Sequence, residues 1–212
     1  MSLSTHLLSQ KDFKRKILPR GFYLNDDVVS VARSLIGKGL CTYIHGKFTR
    51  GIIVETEAYN GLTDKACHSY GGKRTPRTSV MYEQGGVSYV YLCYGMHHLF
   101  NIVTNKKGCA DAVLIRAIHP THGEKNMLKR RGMKKMAPGI TAGPARMGQA
   151  MGINTKYNGY DLIGKNIFLD RGCDISPNKI QKSTRIGIAY AQEDALLPWR
   201  FYLRDDPYIS RK

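Results

Sequence analysis

The sequence predicts a single α+β domain: a curved, mainly antiparallel β-sheet with surrounding helices and a protruding β-hairpin. Three observations carry this expectation. Strand-like segments arrive in adjacent runs, 39–44 with 48–59 and then the two halves of 87–103, rather than alternating with helices. Helical patterning is confined to short stretches bounded by glycine or proline. The chain has 212 residues, 42% hydrophobic and 23% charged, which suits one domain with a core of its own.

Residues 1–19 are polar and basic (Lys11, Lys14, Arg15, Lys16) and are expected to form an N-terminal arm, part of it mobile, ahead of a folded domain over 20–212. Asn25 is positioned as an N-cap for a helix over 26–36, whose apolar residues Val28, Val29, Val31, Ala32 and Leu35 are periodic and which Gly37 ends. Strands follow at Gly39–Ile44 and Phe48–Tyr59, turning near His45-Gly46. Thr63-Asp64 could cap a short helix reaching Cys67 or His68, and GGKRTPRT (71–78) reads as an irregular basic loop. A hairpin over 87–103 and a strand over 112–118 come next, the latter ended by Pro120. Residues 123–136 carry six basic side chains, as a helix or a loop, and Gly143-Pro144 opens another short helix. Strands are expected at 166–171 and 184–190.

Charge narrows the function. Lys and Arg number 33 against 16 Asp and Glu, a formal net charge of +17. Such an excess suits a polyanionic partner bound through phosphate neutralisation; a solvated basic surface without a partner is the alternative. No apolar run approaches the roughly 18 residues that span a bilayer, so no membrane association is expected. The N-terminal residues lack the basic-then-apolar order of a secretory signal. Five cysteines, an odd number without Cys-x-x-Cys spacing, argue for reduced thiols. His119 and His122 form an isolated pair, so neither a metal nor a cofactor is expected.

The segment GIIVETEAY (51–59) carries the chemistry. Alternation puts Ile53, Glu55, Glu57 and Tyr59 on one face, with Ile52, Val54, Thr56 and Ala58 on the other. Paired carboxylates there are either a solvated edge or a general base aimed into a cleft. Tyr59, His68, Tyr89, Tyr91 and Tyr94, set among basic loops, favour the second reading, because stacking rings beside cations are what holds a nucleobase and its backbone.

VETEAY, DKACHSYGGKRTPR, YVYLCYGMHHLFN, VLIRAIHP, AGPARMGQAMGIN and TRIGIAYA with PWRFYL, in that order, closely resemble the alkyladenine (3-methyladenine) DNA glycosylase family over most of residues 20–210. The resemblance implies a monofunctional, monomeric hydrolase acting on duplex DNA that contains damaged purines: 3-methyladenine, 7-methylguanine, hypoxanthine or ethenoadenine. Glu57 would be the base that activates water, with Glu55 structural or electrostatic. Arg116 would position that water, and the Ile186 carbonyl would contact it. Tyr59 and Tyr91 would sandwich the extruded base, His68 would meet its edge, and Asn101 would exclude guanine through its 2-amino group. Tyr94, with Met96 beside it, would be the wedge left in the duplex. Lys73, Arg74, Thr75 and Arg77 would bind phosphate; the family often has Asn where this chain has Thr78. Such an enzyme would be cytoplasmic and nucleoid-associated in a bacterium, or nuclear in a eukaryote, and not secreted. A non-catalytic basic nucleic-acid-binding protein is the competing reading.

The hairpin register depends on this reading. A two-residue Gly95-Met96 loop would pair Tyr91 with Phe100 and put Asn101 on the opposite face. The implied pocket needs both on one face. That requires a three-residue loop, Tyr94-Gly95-Met96, pairing Tyr91 with Leu99 and Tyr89 with Asn101.

Overall fold

The computed structural model describes residues 10–211, so residues 1–9 of the expected arm lie outside the described residues. The strands are β1 (Gly39–Ile44), β2 (Lys47–Tyr59), β3 (Ser88–Cys93), β4 (His97–Thr104), β5 (Asp111–His122), β6 (Ile167–Asp170), β7 (Ile180–Ser183) and β8 (Arg200–Leu203). They form one sheet in the order β3-β4-β5-β2-β1-β6, antiparallel at each pairing. Both edges of the long strand β2 are used. β5 runs along one of them; β1 takes the other over its first half, β8 takes it at 55–57, and β7 pairs with β8.

Helices α2 (Val28–Ser34), α3 (Glu124–Arg131) and α4 (Pro144–Met151) supply apolar residues to one core. Val31, Ala32 and Leu35 meet Met127, Met147 and Met151 there, against Ile53, Phe100, Ile115 and Ile118 of the sheet. Each such large aliphatic side chain contributes about 1.5–3 kcal/mol by leaving water. Gly148 lets α4 lie on β4, since a Cβ there would stand 2.7 Å from the His98 carbonyl oxygen. Residues 10–19 include α1 (Gln10–Lys14) and pack on the β1–β6 side. Phe13 is buried between the rings of Phe48 and His122, and the Leu18 amide donates to the Leu169 carbonyl at 2.8 Å.

Several elements differ from the sequence expectation. Asp27, not Asn25, caps α2, its Oδ1 accepting from the Val29 and Ser30 amides. Residues 63–68 form turns and not a helix: Asn60 Oδ1 accepts from the Leu62 and Thr63 amides, and this local bonding competes with a helical ladder. β5 continues through Pro120 to His122, since a missing N–H costs nothing where the ladder does not call for it. Residues 184–188 are irregular rather than a strand and lead into a 3-10 helix at Ala189–Leu196. The strand lies just before them, at β7.

A buried ion pair joins the far edge of the sheet to β2. Arg50 donates to Asp170 through Nε at 2.7 Å and Nη2 at 2.9 Å, and Cys41 Sγ donates to the same carboxylate at 3.2 Å. Asp170→Ala leaves the Arg50 guanidinium buried without its counter-charge. It is expected to cost about 3–5 kcal/mol, read as a lowered urea midpoint at an unchanged slope.

Candidate active site

β2 does not alternate regularly. It pairs Ile53 with Ile118, Glu55 with Ala117 and Thr56 with Ile115, so Val54 is an extra residue on β2 and Arg116 an extra residue on β5. The two irregularities reset the faces. Ile53 joins Ala58 in the helix-side core, and Thr56 Oγ1 donates to the Ala32 carbonyl of α2 at 2.8 Å. Val54 turns the other way, to Ala117 and Ile209. The expected partition therefore fails for Ile53 and Val54 but keeps Glu55 and Glu57 together, with Tyr59 hydrogen-bonded to Glu57. Bulges of this kind commonly re-aim side chains beside active sites.

A single cross-strand row then lays out the site. Tyr89 pairs with Asn101, Asn101 with Leu114, and Leu114 with Glu57. Directly paired residues share a face. The hairpin has the three-residue loop, with Tyr91 opposite Leu99 and Cys93 opposite His97.

Glu55 and Glu57 are both fully buried. Glu55 accepts from Arg116 Nε at 3.0 Å, Arg200 Nε at 2.8 Å, the Ser210 amide at 2.6 Å and the Ser210 hydroxyl at 2.7 Å. Those contacts make it an anchor for two arginines and the C-terminal segment. Glu57 accepts from the Tyr59 hydroxyl at 2.8 Å, Arg116 Nη1 at 3.2 Å and the Ile186 amide at 2.7 Å. Ile186, expected to act through its carbonyl, thus also holds the carboxylate through its N–H. Burial works against the Arg116 charge, and Glu57 and Glu55 outweigh it, so its pKa is raised. Burial first and the Glu57 charge second push the Tyr59 hydroxyl well above the usual phenol range.

Tyr59, Arg116 and Ile186, the three residues that hold Glu57, also line a cavity of about 410 Å³, together with His68, Tyr91, Asn101 and the tip residue Tyr94, among others. The structure therefore brings the expected base-pocket residues together. Asn101 is held by its Nδ2 donating to the Tyr89 carbonyl at 3.0 Å. His68 stands edge-on to Tyr91, centroids 4.6 Å apart, with Nδ1 2.8 Å from the Tyr89 hydroxyl. Burial, and then the Arg77 charge, lower the His68 pKa to about 4.

At the hairpin tip Tyr94 is 90% exposed and Met96 69%. Tyr94 has φ 49° and Gly95 φ 70°, and the Met96 amide closes the turn on the Cys93 carbonyl at 3.2 Å. Consecutive positive φ values suit the tight hairpin turn, but a tyrosine there is strained by about 1–3 kcal/mol. In the 71–78 loop Lys73 and Arg74 are exposed. Thr78 is buried, its hydroxyl accepting from the Thr75 amide at 2.8 Å and donating to the Lys73 carbonyl at 3.1 Å, so it braces the loop instead of offering itself to a phosphate. Arg77 belongs to the cavity wall, its guanidinium 4.9 Å from the Tyr91 centroid.

Three supporting residues escaped sequence reasoning. Arg185 Nη2 donates to Asp64 Oδ1 at 2.8 Å and Nη1 to the Ala58 carbonyl at 2.8 Å, and its guanidinium sits between the rings of Tyr59 and Trp199. It joins the His68 loop to β2 and directly precedes the Ile186 amide. Asp64 and Arg185 stand 121 residues apart, and neither has a local signature.

The His68 ring is expected to titrate near 4 by NMR rather than near its ordinary 6.5. Between those values the unfolded chain binds a proton that the folded one does not, so stability falls as pH drops through that window. His68→Gln is expected to flatten that part of the pH–stability curve.

Residues 22–207 match the methylpurine-DNA glycosylase family. A protein of Chlamydia felis provisionally named 3-methyladenine DNA glycosylase is 47% identical over 188 residues, 88% of this chain and 96% of that protein. One of the same provisional name from Desulfitobacterium hafniense is 45% identical over 204 residues, 93% of this chain and all of that one. A third, from Borrelia garinii, is 46% identical over 200 residues, 92% of this chain and all of that protein. The chain belongs to the methylpurine-DNA glycosylase family.

Proposed function

We propose that this protein is a monofunctional DNA glycosylase that draws alkylated or deaminated purines out of duplex DNA and hydrolyses the N-glycosidic bond. The observation that carries this reading is the Glu57 carboxylate, fully buried and accepting from three protein donors whose residues all line an aromatic-walled cavity. A carboxylate has roughly four acceptor sites, so three donors leave one for a water. That water attacks C1′ of the extruded nucleotide and gives its proton to Glu57. The C1′–N bond breaks with its electron pair going to the base, leaving an abasic site. Arg116 holds Glu57 in place and reaches the cavity, as does Ile186, whose amide also bonds Glu57 and to whose carbonyl the reading gives a contact with the same water. No lysine nucleophile and no strand cleavage are involved.

Tyr59 and Tyr91 hold the base by stacking, worth about 1–3 kcal/mol for each base. Asn101 is fixed by its own hydrogen bond, so it rejects a guanine 2-amino group instead of yielding to it. Tyr94, with Met96, enters the gap in the duplex and offsets part of the few kcal/mol lost in unstacking. Lys73 and Arg74, with the basic stretch 125–135, supply sequence-independent phosphate contacts. The enzyme acts as a monomer, and the bacterial sources of its relatives favour the cytoplasmic alternative over the nuclear one.

Duplexes carrying 3-methyladenine, 7-methylguanine, hypoxanthine or ethenoadenine test this directly. Wild type is expected to leave alkali-labile abasic sites, and Glu57→Gln to bind such duplexes while releasing base at least about a hundredfold more slowly. Intact duplex binding with no release of any of the four bases would favour a binding protein instead. Tyr94→Ser is expected to slow excision from paired DNA far more than from an unpaired lesion. Equal slowing in the two contexts would remove the wedge role.

A further inference from the structure

Two arginines line the cavity, and their surroundings differ. Arg116 is spent on carboxylates: Nε on Glu55, Nη1 on Glu57, with Nη2 on the Ser210 hydroxyl. Arg77 has no carboxylate partner among the described residues. Its guanidinium lies 4.9 Å from the Tyr91 centroid, and Nη2 is 3.4 Å from His68 Nε2. The resemblance implies a phosphate contact for it; in the fold this exposed arginine also lines the cavity.

The two kinds of damaged purine respond to its charge in different ways. When the bond from C1′ to an N-alkylated, cationic purine breaks, the electron pair neutralises the ring and the base leaves uncharged. When the bond to an uncharged purine such as hypoxanthine breaks, the same pair leaves the base as an anion, until it takes up the proton that Glu57 received from water. A fixed cation beside the ring stabilises that developing anion. It favours the departure of a bound cationic base by the same shift of charge but repels that base on entry, so the two classes separate only when excision is measured from free enzyme and substrate. His68 is not placed to substitute, because burial and Arg77 keep its ring neutral at neutral pH.

We propose that Arg77 is a specificity-determining residue of the base pocket, promoting release of uncharged damaged purines by stabilising the negative charge that develops on the leaving base. The proposal rests on the glycosylase reading above and names a substrate class within it. Arg77 is exposed, and the loop that carries it is braced by Thr75 and Thr78, so substitution is expected to leave the fold intact.

The test is single-turnover excision, measured both far below saturating enzyme (the second-order rate) and at saturation, comparing wild type, Arg77→Gln and Arg77→Lys on duplexes carrying hypoxanthine or 7-methylguanine. Arg77→Gln is expected to slow hypoxanthine release at least about tenfold. The second-order rate for 7-methylguanine should be unchanged or faster, because relief of repulsion on entry offsets the slower departure, and Arg77→Lys should recover part of the hypoxanthine rate. Equal slowing of the two second-order rates, or a hypoxanthine defect that saturating enzyme abolishes, would make Arg77 a phosphate contact and overturn the proposal. An unchanged hypoxanthine rate would overturn it as well. If wild type released neither base, the glycosylase reading would fail first, an outcome distinct from any change in the lesion ratio.

Discussion

Burial of two carboxylates two residues apart on one strand is the constraint around which this protein is assembled. An isolated carboxylate in a dry interior is unstable by several kcal/mol unless donors surround it. Glu55 and Glu57 therefore require donors, and the fold brings them from remote parts of the chain: Arg116 on β5, Arg200 on β8, Ser210 near the C-terminus, the Ile186 amide, and Tyr59 on the same strand. Much of the topology serves that requirement. β8 joins β2 opposite Glu55 and Glu57, and paired irregularities in β2 and β5 place Arg116 beside both.

The cavity walls are built on the same principle, one step further out. Tyr59 and Tyr91 each have a guanidinium on a ring face, Arg185 for one and Arg77 for the other. Arg185 is neutralised by Asp64 and enclosed by Trp199, so it acts as a rigid backing that locks Tyr59 and the Ile186 segment together. Arg77 is exposed and has no carboxylate partner among the described residues. The pocket thus pairs one compensated wall with one charged wall, and its electrostatic preference among ligands comes from the second.

Local signals in the sequence were reliable where a short-range rule governs the backbone. Gly143-Pro144 opens α4 and His45-Gly46 turns β1 into β2. The longer hairpin loop followed from the pocket that the resemblance implied, where the local turn rule favoured Gly95-Met96. The same rules failed where side chains compete across distance. Residues 184–188 look like a strand, yet Arg185 is drawn to Asp64 and Ile186 to Glu57, and these bonds replace a ladder. Period-two alternation in 51–59 could not foresee the extra residue at Val54, because a bulge is fixed by the partner strand. Residues Arg77 and Thr78 sit in a loop that reads as irregular and basic; only the folded loop brings one to the cavity and turns the other into its own core.

By itself the sequence determined the α+β class, the order of most strands, the basic surface and, through its resemblance, the residues gathered around Glu57. Those properties follow from turn chemistry, hydrophobic patterning and motif order, all of which are local along the chain. Tertiary structure alone decided which groups hold each carboxylate, which cations are neutralised and which tyrosine faces are covered. Those outcomes depend on contacts such as Arg185 with Asp64 and Arg200 with Glu55, separated by 121 and 145 residues. Electrostatics at a buried site is set by distance in space, which only the folded chain defines.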